Sequence, residues 1–279
     1  PSASPDPPDV SKMGDETVDT VNYGRGKRNR RGVPSNYYIG AILNEGVALT
    51  QLTIKKRAEK HGKMAVEAIV KEFTQLFHIK KAVKPIKRED ARRMKVKEKV
   101  RSSIFLKEKY DKNNVFEKLK GRLVSDGSTQ DKNLYSNLSS PTAKTESIFT
   151  SLELGTRQKM KQCKMDIGGA YLNAYLYKSK GDDAIIMIIP RYLTTIFVKN
   201  FPELKEFVDA RSGTLWVQVL KAMYGLVQSA LLWYEALVKF LTSLGFKSNP
   251  LNRCVLTKMD GEDMTIIVLY VNDILMLVD

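Results

Sequence analysis

Cysteine and histidine are nearly missing from this chain of 279 residues: Cys163, Cys254, His61 and His78 are the whole supply. So few sulfurs exclude a disulfide scaffold, and a Cys/His zinc site would need four ligands, or three plus water. Both cysteines are expected to be buried, inert thiols. The two histidines flank a basic helix and need no special role. Long apolar runs are scarce too. The longest, Met264 to Val278, is broken by Asn272 and Asp273 and is too short to span a bilayer. No amino-terminal stretch joins a basic start to an apolar segment, so the chain reads as intracellular, with no membrane partner. There is no Walker A loop, no His-Glu-x-x-His and no Gly-x-Ser-x-Gly, and Gly24-Arg25-Gly26 lacks the preceding strand and third glycine of a dinucleotide site. Because Asp279 directly follows an apolar run, a piece of a longer polypeptide is expected.

What is present is enough apolar material for a core, 43% of residues with 9% aromatic, and a concentrated positive charge. Residues 55 to 122 hold 23 Lys and Arg against 9 Asp and Glu, nearly the whole of the formal +15. Such a segment attracts polyanions, because each neutralised phosphate releases counterions. It also reads as the solvated face of a basic helix, and charge alone does not separate the two.

Residues 1–52 read as a basic, largely disordered linker carrying Arg25, Lys27, Arg28, Arg30 and Arg31. From about Leu52 to Phe77 apolar residues recur at helical spacing, Pro85 stops that helix, and Lys84 to Arg101 is a basic connector. Ser103 to Lys109 and Lys120 to Val124 read as strands of a two-stranded basic flap, closed by Asp126-Gly127. A helix starting near Pro141 should end at Gly155. Strands follow at Gln162 to Ile167, Ile185 to Ile189 and Leu215 to Leu220, with a loop-rich insertion between the last two. Leu226 to Leu244 is a long core helix stopped by Gly245. Cys254 to Met259 and Thr265 to Tyr270 make a hairpin with a type I′ signal at Asp260-Gly261, and Ile274 to Val278 is a final strand. Helices mixed with antiparallel hairpins argue for an α+β fold rather than a doubly wound sheet.

Two places set acidic residues against apolar strands: Asp166, followed by Gly168-Gly169, and Asn272-Asp273 at the tip between Tyr270 and Ile274. A carboxylate there must be solvated, paired or bound to a cation. If the strands lie side by side, the two places converge, and a pair of Mg²⁺ ions about 3.5 to 4 Å apart would suit nucleotidyl transfer. A turn-capping aspartate and an ordinary hairpin tip account for the same spacing.

Three ordered segments then carry a resemblance: Met165-Asp166-Ile167-Gly168-Gly169-Ala170-Tyr171-Leu172-Asn173, then Leu220-Lys221-Ala222-Met223-Tyr224-Gly225-Leu226-Val227-Gln228-Ser229 with Trp233-Tyr234, then Leu269-Tyr270-Val271-Asn272-Asp273. Together they resemble the reverse transcriptase of copia-type retrotransposons, and Lys120-Gly121-Arg122-Leu123-Val124 through Gln130 is similar to that family's finger strands. The resemblance implies a right-hand polymerase truncated before its thumb. Fingers would span 53–138 and 180–225; an antiparallel palm sheet backed by helices would come from 139–179 and 226–279. It implies RNA-directed DNA synthesis from deoxynucleoside triphosphates on a primed RNA or DNA template, with Mg²⁺ or Mn²⁺, in the cytoplasm or a virus-like particle with a nuclear phase. By the same resemblance Asp166, Asn272 and Asp273 stand at the catalytic positions, Asp166 and Asp273 as metal ligands. Arg122 would grip the triphosphate, Tyr171 would exclude a 2′-hydroxyl, and Gly225, Gln228 and Ser229 would line nucleotide and template. Val227 and Ala230 stand where a lysine and a proline are usual.

Asn272 departs from the family box, whose first aspartate is the ligand. An amide oxygen brings no charge and the NH₂ cannot ligate. Asp273 would need a local bulge to substitute, since successive side chains on a strand point to opposite faces. A catalytically impaired copy is therefore expected, with a non-catalytic nucleic-acid-binding module as the alternative. Trp233 is read as core.

Overall fold

The computed structural model describes residues 60–176 and 183–279, so the expected linker at residues 1–52 lies outside the described part. Helix α1 (Lys63–Thr74) forms where Ala65, Ala68, Ile69 and Phe73 give one apolar stripe, and it runs on into a π-helical turn at Gln75–Ile79. Where Pro85 reads as a helix stop, it instead lies inside strand β1 (Val83–Ile86). An outer strand tolerates a residue without an N–H, and β1 is outermost in its sheet. The expected connector is a short helix, α2 (Arg88–Arg93), followed by β2 (Val96–Tyr110), which pairs with β3 (Phe116–Ser125).

After α3 (Thr145–Arg157) come β4 (Lys161–Asp166), β5 (Ala184–Ile189), α4 (Arg191–Asn200), β6 (Leu215–Val219) and α5 (Ser229–Ser243). The chain closes with β7 (Lys247–Ser248), β8 (Val255–Asp260), β9 (Asp263–Tyr270) and β10 (Asp273–Val278). Gly155 does not end α3; it lies within the helix, where a Cβ would come 3.2 Å from Leu277. Residue Lys159 takes the left-handed backbone after the helix instead. The expected loop after β5 holds α4, which starts directly behind Pro190 and buries Leu193, Thr194 and Phe197. In the β8–β9 turn only Gly261 of the two central residues has positive φ, the pattern of a type II′ rather than a type I′ turn.

Two sheets result, each with its own core. The first has the order β1-β6-β5-β2-β3 and is antiparallel except for β2 beside β5. Central β5, flanked on both sides, is almost wholly buried, which is why it reads as an unbroken apolar run. Phe73 of α1 stacks on Phe197 of α4 with ring centroids 3.5 Å apart. The β2–β3 pair is therefore no free flap. Helix α1 lies so close that a Cβ on Gly121 would meet the Ala68 carbonyl oxygen at 2.7 Å. On the outer edge of β3 the Leu123 N–H donates to Glu72 Oε1 at 3.1 Å, and burial raises the Glu72 pKa against the pull of that bond and of Arg122 and Lys120.

The second sheet, β4-β10-β9-β8-β7, is antiparallel throughout. Trp233, Leu237 and Leu241 of α5 are buried in one apolar cluster with Leu256, Ile267, Leu269 and Leu277. Strand β4 is its outer strand and every one of its residues is exposed. Cys163 is exposed there, contrary to the expectation of a buried thiol, because no element among the described residues covers that edge. Cys254 is buried, and burial pushes its thiol up to about 11. No helix among the described residues is long and apolar enough to cross a membrane.

A charged cluster ties the start of α1 to β2. The Glu108 carboxylate, almost fully buried, accepts from Tyr110 Oη at 2.6 Å, lies 2.7 Å from His61 Nε2 and accepts from Lys60 Nζ at 3.0 Å. These bonds, the tyrosine's foremost, hold its pKa at about 2 against an ordinary 4.5. A depressed carboxyl pKa stabilises the fold fully above the unfolded value and ceases to do so as pH falls through the folded one. Glu108→Gln should therefore lower the melting temperature at neutral pH and flatten its decline between pH 4.5 and about 2. Parallel acid limbs in the two proteins would refute this.

Candidate catalytic and nucleotide-binding site

The β10–β4 register pairs Asp273 directly with Asp166, Ile274 with Met165 and Leu275 with Lys164. Directly opposed residues share a sheet face, so Asp273 reaches the side of Asp166 with no bulge, contrary to the sequence expectation. Tyr270 pairs with Asp273 across β9–β10, which leaves Val271 and Asn272 as a two-residue turn. Val271 has φ 58°, in the region that penalises β-branched side chains. At the other end of β9 the equivalent place in the turn is held by Gly261. The strained turn is fastened from below, where Trp233 Nε1 donates to the Val271 carbonyl at 2.7 Å. Trp233 is core, as expected, and it is also the anchor of this tip.

Asn272 points back at the acid. Its Nδ2 donates to Asp166 Oδ1, and its carbonyl accepts from the Ile167 N–H at 2.9 Å. Asp273 Oδ1 is paired with Lys164 Nζ at 3.2 Å. Asp166, Asn272 and Asp273 thus converge, but each carboxylate is already engaged by the chain's own donors. Among the described residues no group of three or more Asp, Glu, His or Cys could hold a metal ion. Two carboxylates, an amide whose NH₂ faces one of them and a lysine on the other do not fit a pair of divalent ions.

Past Asp166 the chain turns through Gly169, at φ 62°, into the short helix Ala170–Asn173, and then pairs with the segment after β6. Ala222 N–H donates to the Ala174 carbonyl and Leu176 N–H to the Leu220 carbonyl. This brings Tyr171 to Tyr224, ring centroids 4.9 Å apart. The Arg122 guanidinium lies over the other ring, 4.2 Å from the Tyr224 centroid. Burial, and secondarily Tyr224, raise the Tyr171 pKa. Arg122 over Tyr224, and Tyr171 tilted by 51° against that ring, form one line of contacts from β3 to the segment behind Asp166. Tyr224 is the member that sequence reasoning leaves out, although it stands beside Gly225 in a quoted motif.

The loop holding Tyr224 is locked to the end of β3. Ser125 N–H donates to the Tyr224 carbonyl at 2.8 Å, and Val227 N–H donates to Gln130 Oε1 at 2.9 Å. Gln130 is buried, and its Nε2 donates to Glu98 Oε2 at 2.7 Å and Gln228 Oε1 at 3.4 Å. Gln228 borders a cavity of about 650 Å³ shared with Lys95, Lys97 and Glu235. Ser229, expected to line the nucleotide, instead faces inward: it is 1% exposed and its hydroxyl donates to the Met223 carbonyl at 2.6 Å. As the first residue of α5 it braces the loop rather than lining its surface.

Residues 93–279 match the family described as reverse transcriptase (RNA-dependent DNA polymerase). The chain is similar to the retrovirus-related Pol polyprotein from transposon RE1 of Arabidopsis thaliana, 27% identical over 173 residues, which covers 62% of this chain and 10% of that protein. Similarity to the corresponding polyprotein from transposon RE2 of the same plant has the same identity and extent. The match thus spans about a tenth of each relative's length. With the family match running over most of its length, the chain belongs to the reverse transcriptases, of the kind found in copia-type retrotransposon Pol polyproteins.

Proposed function

We propose that this chain is the fingers and palm of a retrotransposon reverse transcriptase, which binds a primed RNA or DNA template and a deoxynucleoside triphosphate but polymerises poorly. In this reading the first sheet with α1 and α4 is the fingers, and the second sheet with α3 and α5 is the palm. A reverse transcriptase family implies nucleic-acid and deoxynucleotide substrates, and its members generally use divalent metals. One observation carries the reading: Asp166 and Asp273 are direct partners on adjoining strands, beside a segment whose Tyr171 packs at a tilt against Tyr224, with Arg122 over the Tyr224 ring. That arrangement offers a cation and two aromatic rings to a triphosphate and its sugar next to the acids. Impairment follows from Asn272, because the donor set lacks the charge to hold two divalent ions.

The basic first sheet supplies the electrostatics. Lys97, Lys99, Arg101, Lys107, Lys109, Lys118, Lys120 and Arg122 all lie on β2 and β3, and binding through such side chains must weaken steeply with salt. A filter-binding titration of the chain with RNA and DNA duplexes carrying single-stranded overhangs, at rising salt and in EDTA, tests the binding half. Steep linear loss of log affinity with log salt, without a metal requirement, is the expected result. No retention of either nucleic acid at low salt would overturn it.

A further inference from the structure

Lys164 stands on β4 two residues before Asp166, so the alternation of a strand puts both side chains on one face. Because Asp273 pairs with Asp166, Lys164 is its diagonal neighbour across the ladder. The result is an ion pair, Lys164 Nζ to Asp273 Oδ1 at 3.2 Å, beside the Asn272 amide that donates to Asp166. Each member of the carboxylate pair has its own partner from the chain.

We infer that Lys164 is a resident counter-cation of this hairpin, which opposes a divalent ion at Asp166 and Asp273 independently of Asn272. The inference rests on reading the tip as derived from a polymerase metal site. Stability is not what the lysine provides, since its side chain is 75% exposed and that of Asp273 42%, and exposed pairs contribute little. Its effect is on a competing cation. One unit charge about 5 Å from a dication in water opposes binding by on the order of tenfold. The amide acts separately, by removing a carboxylate and presenting an NH₂ that cannot ligate. Two features therefore resist the metal, and reversing Asn272 alone leaves the second in place. The competing description is an ordinary surface lysine that swings into solvent when a metal arrives.

Titration of the full chain with Mn²⁺, followed by the paramagnetic resonance of the free ion, separates the two descriptions. The comparison uses the parent, Asn272→Asp, and Asn272→Asp combined with Lys164→Gln, Lys164→Arg or Lys161→Gln. The Lys164→Gln double variant is expected to bind Mn²⁺ about tenfold more tightly than Asn272→Asp alone. Lys164→Arg should leave affinity near that of Asn272→Asp, because it keeps the charge, and Lys161→Gln, farther along the same strand, should change it little. Equal affinities for Asn272→Asp with and without Lys164→Gln would overturn the inference. So would an equal gain from Lys161→Gln, which would make the effect one of overall charge. RNA retention in EDTA by the same samples is read in parallel: its absence would strike at the polymerase reading, whereas the Mn²⁺ series bears on the lysine.

Discussion

Gly225→Ala should cost the protein about 4 kcal/mol or more and lower its melting temperature by roughly 10 °C, at the upper end of what single substitutions do. Gly225 has φ 93°, and a Cβ there would lie 1.9 Å from the Ser125 carbonyl oxygen and 2.6 Å from a Val124 methyl. The crowding is reciprocal, because a Cβ on Gly127 would lie 1.9 Å from the Gly225 carbonyl oxygen. Backbone meets backbone on both sides, so no flexible side chain can yield. Relief requires the loop to leave β3, which breaks the bond from Ser125 to Tyr224 and that from Val227 to Gln130, and withdraws Tyr224 from under Arg122. Loss of stability and loss of nucleotide binding should therefore arrive together. Gly261→Ala is the control. Its φ of 68° carries the same kind of backbone strain, but nothing lies within 4 Å of the added Cβ, so about 1 to 2 kcal/mol is expected. Equal melting temperatures for the two variants would show that the contact between loop and strand is not tight.

The same locking explains what the sequence discloses and what it withholds. Helix α5 is legible because its apolar residues recur at helical spacing on a buried face, and β8, β9 and β10 because each is a short apolar run bounded by turn residues. Helix α4 is not: the β-branched Thr194, Thr195, Ile196 and Val198 weaken its helical propensity, and the stretch reads as a loop-rich insertion. Helix α2 buries only Ala91, too little for any period. Strand β1 is hidden by Pro85, whose compatibility with a strand depends on β1 being outermost. At the site, Asp166 and the 272–273 tip are legible as acids against apolar strands, but their chemistry is decided by register. Which residue faces which follows from the β4–β10 register, with the two-residue turn at Val271-Asn272 setting where β10 begins, and that pairing puts Lys164 against Asp273 and the amide against Asp166. Tyr224 and Arg122 come from opposite halves of the chain, and no local pattern links them.

Asn272→Asp should raise primer extension on a poly(A) template by about a hundredfold or more in Mn²⁺, since partners outside the metal shell alone are worth 10–100-fold and this restores a direct carboxylate. A stability change of opposite sign should accompany it. The parent amide donates to Asp166, whereas an aspartate in its place sets a third negative charge beside Asp166 and Asp273, where Lys164 pairs with Asp273 alone of the three. Losing that bond and adding the repulsion should cost about 1–2 kcal/mol at this exposed tip in EDTA. Mn²⁺ should restore the variant's melting temperature and leave the parent's where it was. Impairment by the amide fails as an explanation if the parent extends primers as fast as the variant. A variant that melts with the parent in EDTA at neutral pH would show instead that the tip keeps its three acids apart. The amide's bond to Asp166 would then contribute nothing to holding the hairpin against β4.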